Sequence, residues 1–242
     1  MTSQAQTSEL FDINAWRDSL AEFVATMLFI FIGCGSVVAS GIATGGTLDA
    51  GRLVAIALAH GIAITLLVFA TAHISGGHIN PAVTVGAIIT KKITPIKGGM
   101  FIVMQLAGAI VGALLLWIVA PEAAQGNLGA HGLGTDVSVG MGLLTEIILT
   151  FLLVFVIFAA AMDKRGAGAL APIAIGFAVM AAHLVAVPLT GAGIKPARSL
   201  GPAVFSGAWA DHWIYWVGPL LGGGLAASVY QALFASDRNG SA

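Results

Sequence analysis

Several runs of roughly 20 apolar residues, separated by short polar stretches, constrain this chain more than any other feature. A helix crossing the hydrocarbon of a bilayer needs about 20 apolar residues at 1.5 Å rise each. Such runs occur near 19–40, 52–71, 99–119, 139–161, 170–188 and 212–235, bounded by Gly, Pro or charge clusters, and they predict six membrane spans. With 58% hydrophobic and 9% charged residues over 242, the chain has too few charges to cover a soluble globule, so lipid must be its main solvent.

Two further apolar pieces, about 81–90 and 196–206, are too short to span. Each begins with a proline, Pro81 and Pro196, where a first helical turn accepts one. They read as half-helices that dip into the membrane. Irregular backbone at that depth survives only where protein buries it or a water-filled cavity hydrates it. The carbonyls of Gly76, Gly77, His78, Gly191 and Gly193 can then form a ladder of acceptors, with partial positive charge at the half-helix N-termini. Asn80 suits an N-cap and keeps an amide that can donate toward a lumen.

The two halves repeat one another. Ala21-Glu22-Phe23 is echoed by Thr145-Glu146-Ile147, and Ser75 to Ala82 by Thr190 to Ala197. A three-span unit must insert in the opposite sense the second time, so the half-helices enter from opposite faces and meet near the midplane. The predicted layout is a tail over 1–17, a channel domain over 18–235 with repeats at about 18–120 and 139–235, and a tail over 236–242. The fold class is therefore all-α, six transmembrane helices plus two re-entrant half-helices in an inverted repeat. Lys91, Lys92, Lys97, Lys164, Arg165 and Arg238 fall in loops of one side, which places both termini in the cytoplasm.

Charge and cysteine usage exclude other classes. Lys+Arg 10 against Asp+Glu 11 gives no electrostatic reason for a nucleic-acid partner. Cys34 stands alone, so no intrachain disulfide forms, and the scattered histidines show no metal-ligand spacing. No cofactor is implied. Broken helices in inverted repeats also occur in proton-coupled secondary transporters, and a closed junction or scaffold protein is a further alternative.

The stretches Ser75-Gly76-Gly77-His78-Ile79-Asn80-Pro81-Ala82-Val83 and Pro196-Ala197-Arg198-Ser199, with Glu22, Glu146 and Ala171-Pro172-Ile173-Ala174-Ile175-Gly176, resemble the aquaporin, or major intrinsic protein, family over about residues 18–235. The resemblance implies a right-handed six-helix bundle, a homotetramer with one pore per subunit, and passive flow. Carried over residue by residue, it implies a selectivity ring of His60, His183, Ala192 and Arg198, joined by His131. The central constriction would comprise Asn80, Pro81, Ala82, Lys195, Pro196 and Ala197, and Glu22 and Glu146 would brace the re-entrant loops. His73 and His78 read as further loop braces.

Ser199, Ala203 and Tyr215-Trp216 match water-selective members of that family, whereas His60 and Ala192 are similar to the plant vacuolar-membrane branch. A water channel is expected, with passage of ammonia or hydrogen peroxide through a wider, histidine-rich ring, and with protons and ions refused. A plasma (inner) membrane is the expected location. Lys195 departs from the family, which carries a second Asn there. An ammonium cannot accept the N–H bonds an N-cap should accept, and its charge opposes the positive helix end. It either plugs the lumen, strengthens cation exclusion, or bends aside.

Overall fold

The computed structural model describes residues 8–235; the expected C-terminal tail with Arg238, and residues 1–7 of the N-terminal tail, lie outside these. All regular structure among the described residues is helical. The long helices are α1 (Ile13–Thr44), α2 (Ala50–Thr71), α4 (Pro95–Val119), α5 (Val139–Ile157), α6 (Ala171–Thr190) and α8 (Ile214–Leu233), and the half-helices are α3 (Pro81–Ile89) and α7 (Pro196–Ser206).

α1 begins six residues before the predicted 19, because Asp12 accepts from the Asn14 N–H and caps it. At 32 residues it is about 48 Å long and overshoots a bilayer core. α5 continues through a π-helical turn, Phe158–Met162. Five segments, all but α8, are long and apolar enough by composition to cross a membrane. α8 has 20 residues, and Pro219 with Gly222, Gly223 and Gly224 dilutes its hydropathy. Those glycines are there for packing.

The pairing of elements shows the inverted repeat. α1 packs mainly on α4, α5 on α8, and α2 on α6 across the repeats. Where helices touch, side chains are missing so that backbones can approach, the small-residue mode of packing in membranes. Gly108 and Gly112 of α4 face the Phe23 and Met27 carbonyls of α1, and Gly222 of α8 faces the Ile147 carbonyl of α5. At the α2–α6 crossing a methyl on Gly61 would stand 2.8 Å from the Gly176 carbonyl oxygen. Each half-helix leans on the last span of the other repeat. α3 meets α8 through Gly86 and Gly223, and α7 meets α4 through Gly201 against the Ala109 carbonyl.

Candidate functional site

The loops entering the half-helices have the same backbone. Gly76, Gly77 and Ile79 take φ of 92°, 63° and 54°, and the matching Gly191, Ala192 and Ile194 take 82°, 65° and 39°. Two isoleucines in the left-handed region are strained, since a β-branched side chain rarely occupies it. What holds them is a carboxylate in each repeat. Glu22 accepts from Ser75 Oγ (2.6 Å), His78 N (2.9 Å), Ile79 N (2.5 Å) and Gln105 Nε2 (2.8 Å). Glu146 accepts from Thr190 Oγ1 (2.7 Å), Gly193 N (2.9 Å) and Ile194 N (2.6 Å). Both are fully buried, and their oxygens are occupied by these donors, all from the loops or their flanks except Gln105 of α4. A methyl on Gly193 would collide with Glu146 Oε2 and Tyr215 at 2.6 Å, which is why a glycine stands there.

The two half-helix N-termini meet through one side chain. Asn80 Oδ1 accepts from Ala82 N at 3.0 Å, capping α3, while Nδ2 donates to the Ile194 carbonyl at 2.9 Å. The amide thus bridges to the opposite loop with one N–H, and Asn80 also lines the inner cavity. Pro81, Ala82, Pro196 and Ala197 are all buried around this junction. Lys195 is the N-cap residue of α7 and makes no side-chain cap. It is 3% exposed, its Nζ has no hydrogen-bond partner, and that nitrogen sits 3.4 Å from the centre of the Phe29 ring. The aromatic face is thus the surface against which this amino group packs.

Outward from this junction lie the ring residues. The His60 and His183 rings pack tilted by 30° with centroids 4.1 Å apart, and Arg198 Nε donates to His60 Nε2 at 3.3 Å while Nη1 donates to the Gly129 carbonyl at 2.8 Å. The His60 and His183 Nδ1 atoms lie 2.9 and 2.8 Å from the Ile56 and Val179 carbonyls, so each carries its proton on Nδ1. Neutral His183 then presents Nε2 as an unused acceptor. His131 is carried in by its loop, buried to 6% exposure, with Nδ1 2.8 Å from Ser199 Oγ and Nε2 unpartnered. Burial and then the Arg198 charge hold this imidazole well below the ordinary histidine range, so it is neutral at pH 7. Ala192 is fully buried beside Thr190, whose Oγ1 accepts from its N–H at 3.2 Å.

Arg198 lines two spaces at once. Outside lies a vestibule of about 310 Å³ that Arg52 also lines. Inside, a cavity lined by Lys195, Asn80, His183, Phe29, Gly77, His78 and Gly193 leaves about 20 Å³ for the centre of a water molecule. That is room for roughly one water.

The chain matches the sequence profile described as Major intrinsic protein over residues 9–230. It belongs to the major intrinsic protein family. Among relatives of this major intrinsic protein, Aquaporin-4 of Mus musculus is 46% identical over 92% of this chain and 68% of its own length. Aquaporin TIP4-4 of Zea mays is 44% identical, covering 95% of this chain and 91% of its own. The X-ray structure of the aquaglyceroporin from Plasmodium falciparum superposes with a TM-score of 0.80 over 90% of this chain and 96% of that one, at 22% identity, a likeness of fold. The protein is thus an integral, multi-pass member of a membrane channel family.

Gly76, exposed at the loop edge, and Gly191 supply turn geometry, whereas Gly77, His78 and Gly193 line the inner cavity. His78 bonds Thr84 Oγ1 at 3.1 Å, but His73 is exposed, so the expected bracing role for His73 has no contact to rest on. Sequence reasoning missed Phe29, Gly33 and Gln105. Phe29 lies in an unremarkable apolar run, and only proximity to Lys195 distinguishes it. Gly33 is required because a methyl there would reach His60 Nε2 at 2.6 Å. Gln105, an amide within an apolar span, was a signal present in the sequence: buried polar groups inside a membrane need partners.

Proposed function

We propose that this protein is a passive water channel, with ammonia and hydrogen peroxide as minor permeants, and that Lys195 makes it a slow one. The observation that carries this reading is the Asn80–Ile194 bridge, which sets two opposed half-helix N-termini around a cavity wide enough for a single water. A water there exchanges its bulk hydrogen bonds for the loop carbonyls, the free Nε2 of His183 and the Arg198 guanidinium. Arg198 and the positive helix ends repel cations and protons. The closely packed His60–His183 pair, in place of bulkier aromatic packing, supports passage of ammonia as the second reading.

Proteoliposomes under an osmotic gradient test it. Shrinkage should be faster than in empty vesicles, with a low activation enthalpy, and alkalinisation in an ammonium gradient should accompany it. Indistinguishable shrinkage for both the native chain and Lys195→Asn would sink the water reading. Uphill solute accumulation driven by a proton gradient would instead identify a transporter.

We further propose a homotetramer inserted in a plasma (inner) membrane with both termini cytoplasmic. An apolar groove on the outer face of α2 and α6, formed by Leu58, Ile62, Leu66 and Phe177, supports association within the membrane. Light scattering in detergent gives the oligomer mass, and protease accessibility of sealed vesicles gives the orientation.

A further inference from the structure

Three cations follow one another along the conduit. Arg52 and Arg198 line the vestibule, and Arg198 and Lys195 line the inner cavity; among the described residues no carboxylate lines either space. The nearby acids are already engaged, because Glu22 and Glu146 spend their oxygens on loop donors and make no hydrogen bond or salt bridge to Lys195 or Arg198. Lys195 Nζ is therefore a buried amino nitrogen whose N–H donors find no acceptor among the described residues, and it lines a cavity that also receives the N-termini of α3 and α7. A buried charge without a partner is strongly unfavourable, and a single aromatic face offsets only part of that.

We propose that this cavity is a binding site for one small monovalent anion of halide size, held by Lys195 Nζ at the junction of the half-helices. Lys195 supplies charge-assisted donors, the two helix ends supply oriented partial positive charge, and Arg198 adds long-range attraction from the outer side. The cavity admits about one water, so a bound halide excludes the water file while it stays. This rests on the conduit proposed above, and its first test is independent of flow.

Chloride is the probe. Purified native protein in detergent should broaden the ³⁵Cl NMR line saturably, and excess nitrate should reverse the broadening. Lys195→Asn, and Lys195→Met as a variant of similar length without charge, should each remove at least half of it, with folding checked by elution as the native oligomer. Broadening equal in the native chain and both folded variants would overturn the site. In proteoliposomes, osmotic water permeability of the native chain should fall at least twofold when isosmotic sodium gluconate is replaced by sodium chloride. Lys195→Asn should not respond. A native permeability unchanged by chloride would refute the block, whereas anion binding without any water flow in either salt would leave the site standing and remove the water reading instead.

Discussion

Asn80 and Lys195 occupy the same place in the two repeats, and they do opposite things. Asn80 accepts from Ala82 N and reaches across to Ile194, so the α3 terminus is capped and tied to its counterpart. Lys195 makes no side-chain cap for α7 and rests its amino group against Phe29. Yet the two loops keep matching φ angles, down to a strained isoleucine in each. The backbone therefore does not take its shape from the cap residue. It takes it from the buried carboxylates, which hold the loops from behind and leave the cap position free to change.

The strongest way to break this comparison is to remove a carboxylate. In Glu146→Ala the N–H groups of Gly193 and Ile194 lose their acceptor, and each buried unsatisfied donor costs about 1–3 kcal/mol. The strain at Ile194 then has nothing to oppose it. We expect loss of the native oligomer on size exclusion, or a fall in the unfolding midpoint larger than for any cap substitution. Glu22→Ala should be at least as severe, since Glu22 holds four donors. A midpoint within a few degrees of native for either would show that the loops are held by packing.

Restoring the symmetry is the next test. Lys195→Asn supplies the missing cap, worth about 1 kcal/mol, and takes a charge out of the cavity. Osmotic water permeability should rise about tenfold, the equivalent of about 1.4 kcal/mol in barrier, and the midpoint should also rise. Equal permeability would mean that Lys195 does not obstruct the file. The converse substitution, Asn80→Ala, removes the cap of α3 and the tie to Ile194 together. It should cost about 1–2 kcal/mol, measured by thermal unfolding, and no cost would assign the junction to packing alone.

The sequence made these predictions possible to different degrees. The spans and both half-helices could be read from it because hydropathy and Pro position are local properties, and the echo of Ser75–Ala82 in Thr190–Ala197 fixed which backbone segments correspond. Boundaries were less legible. The early start of α1 depends on a single capping aspartate within a polar segment, and the hydropathy of α8 is lowered by glycines whose purpose appears only beside Ile147, Ala82 and Ile89. Contacts made across the bundle were least legible. That Lys195 would settle on Phe29, or that Asn80 would spend its amide on Ile194, depends on residues far apart in the chain, 114 apart in the second case. His131 illustrates the same limit from the other side: a loop histidine has no local mark of burial, and the loop backbone alone brings it to Ser199.

The smallest expected effect lies away from the centre, where the second repeat anchors its outer turns. Asp163 accepts from Arg165 Nη2 at 2.6 Å and from Tyr230 at 3.0 Å, and its side chain is 3% exposed. Arg165 also donates to the Phe234 carbonyl, so this cluster ties the end of the π-helical turn to the end of α8. The hydrogen bonds from Arg165 hold the Asp163 carboxyl far below the usual carboxylate range. A folded-state pKa below the unfolded value of about 3.9 means that the folded chain binds this proton less readily than the unfolded one. The contribution of Asp163 is then complete above about pH 5 and declines as pH falls from about 4 toward the depressed folded value. The difference in unfolding midpoint between the native protein and Asp163→Asn should accordingly be constant from pH 7 to about 5 and narrow below about 4. Because Arg165 is largely solvated, that difference should be smaller than for any substitution at the half-helix junction. A difference that widened on acidification would show the opposite sign of linkage and would discard the ion pair as its cause.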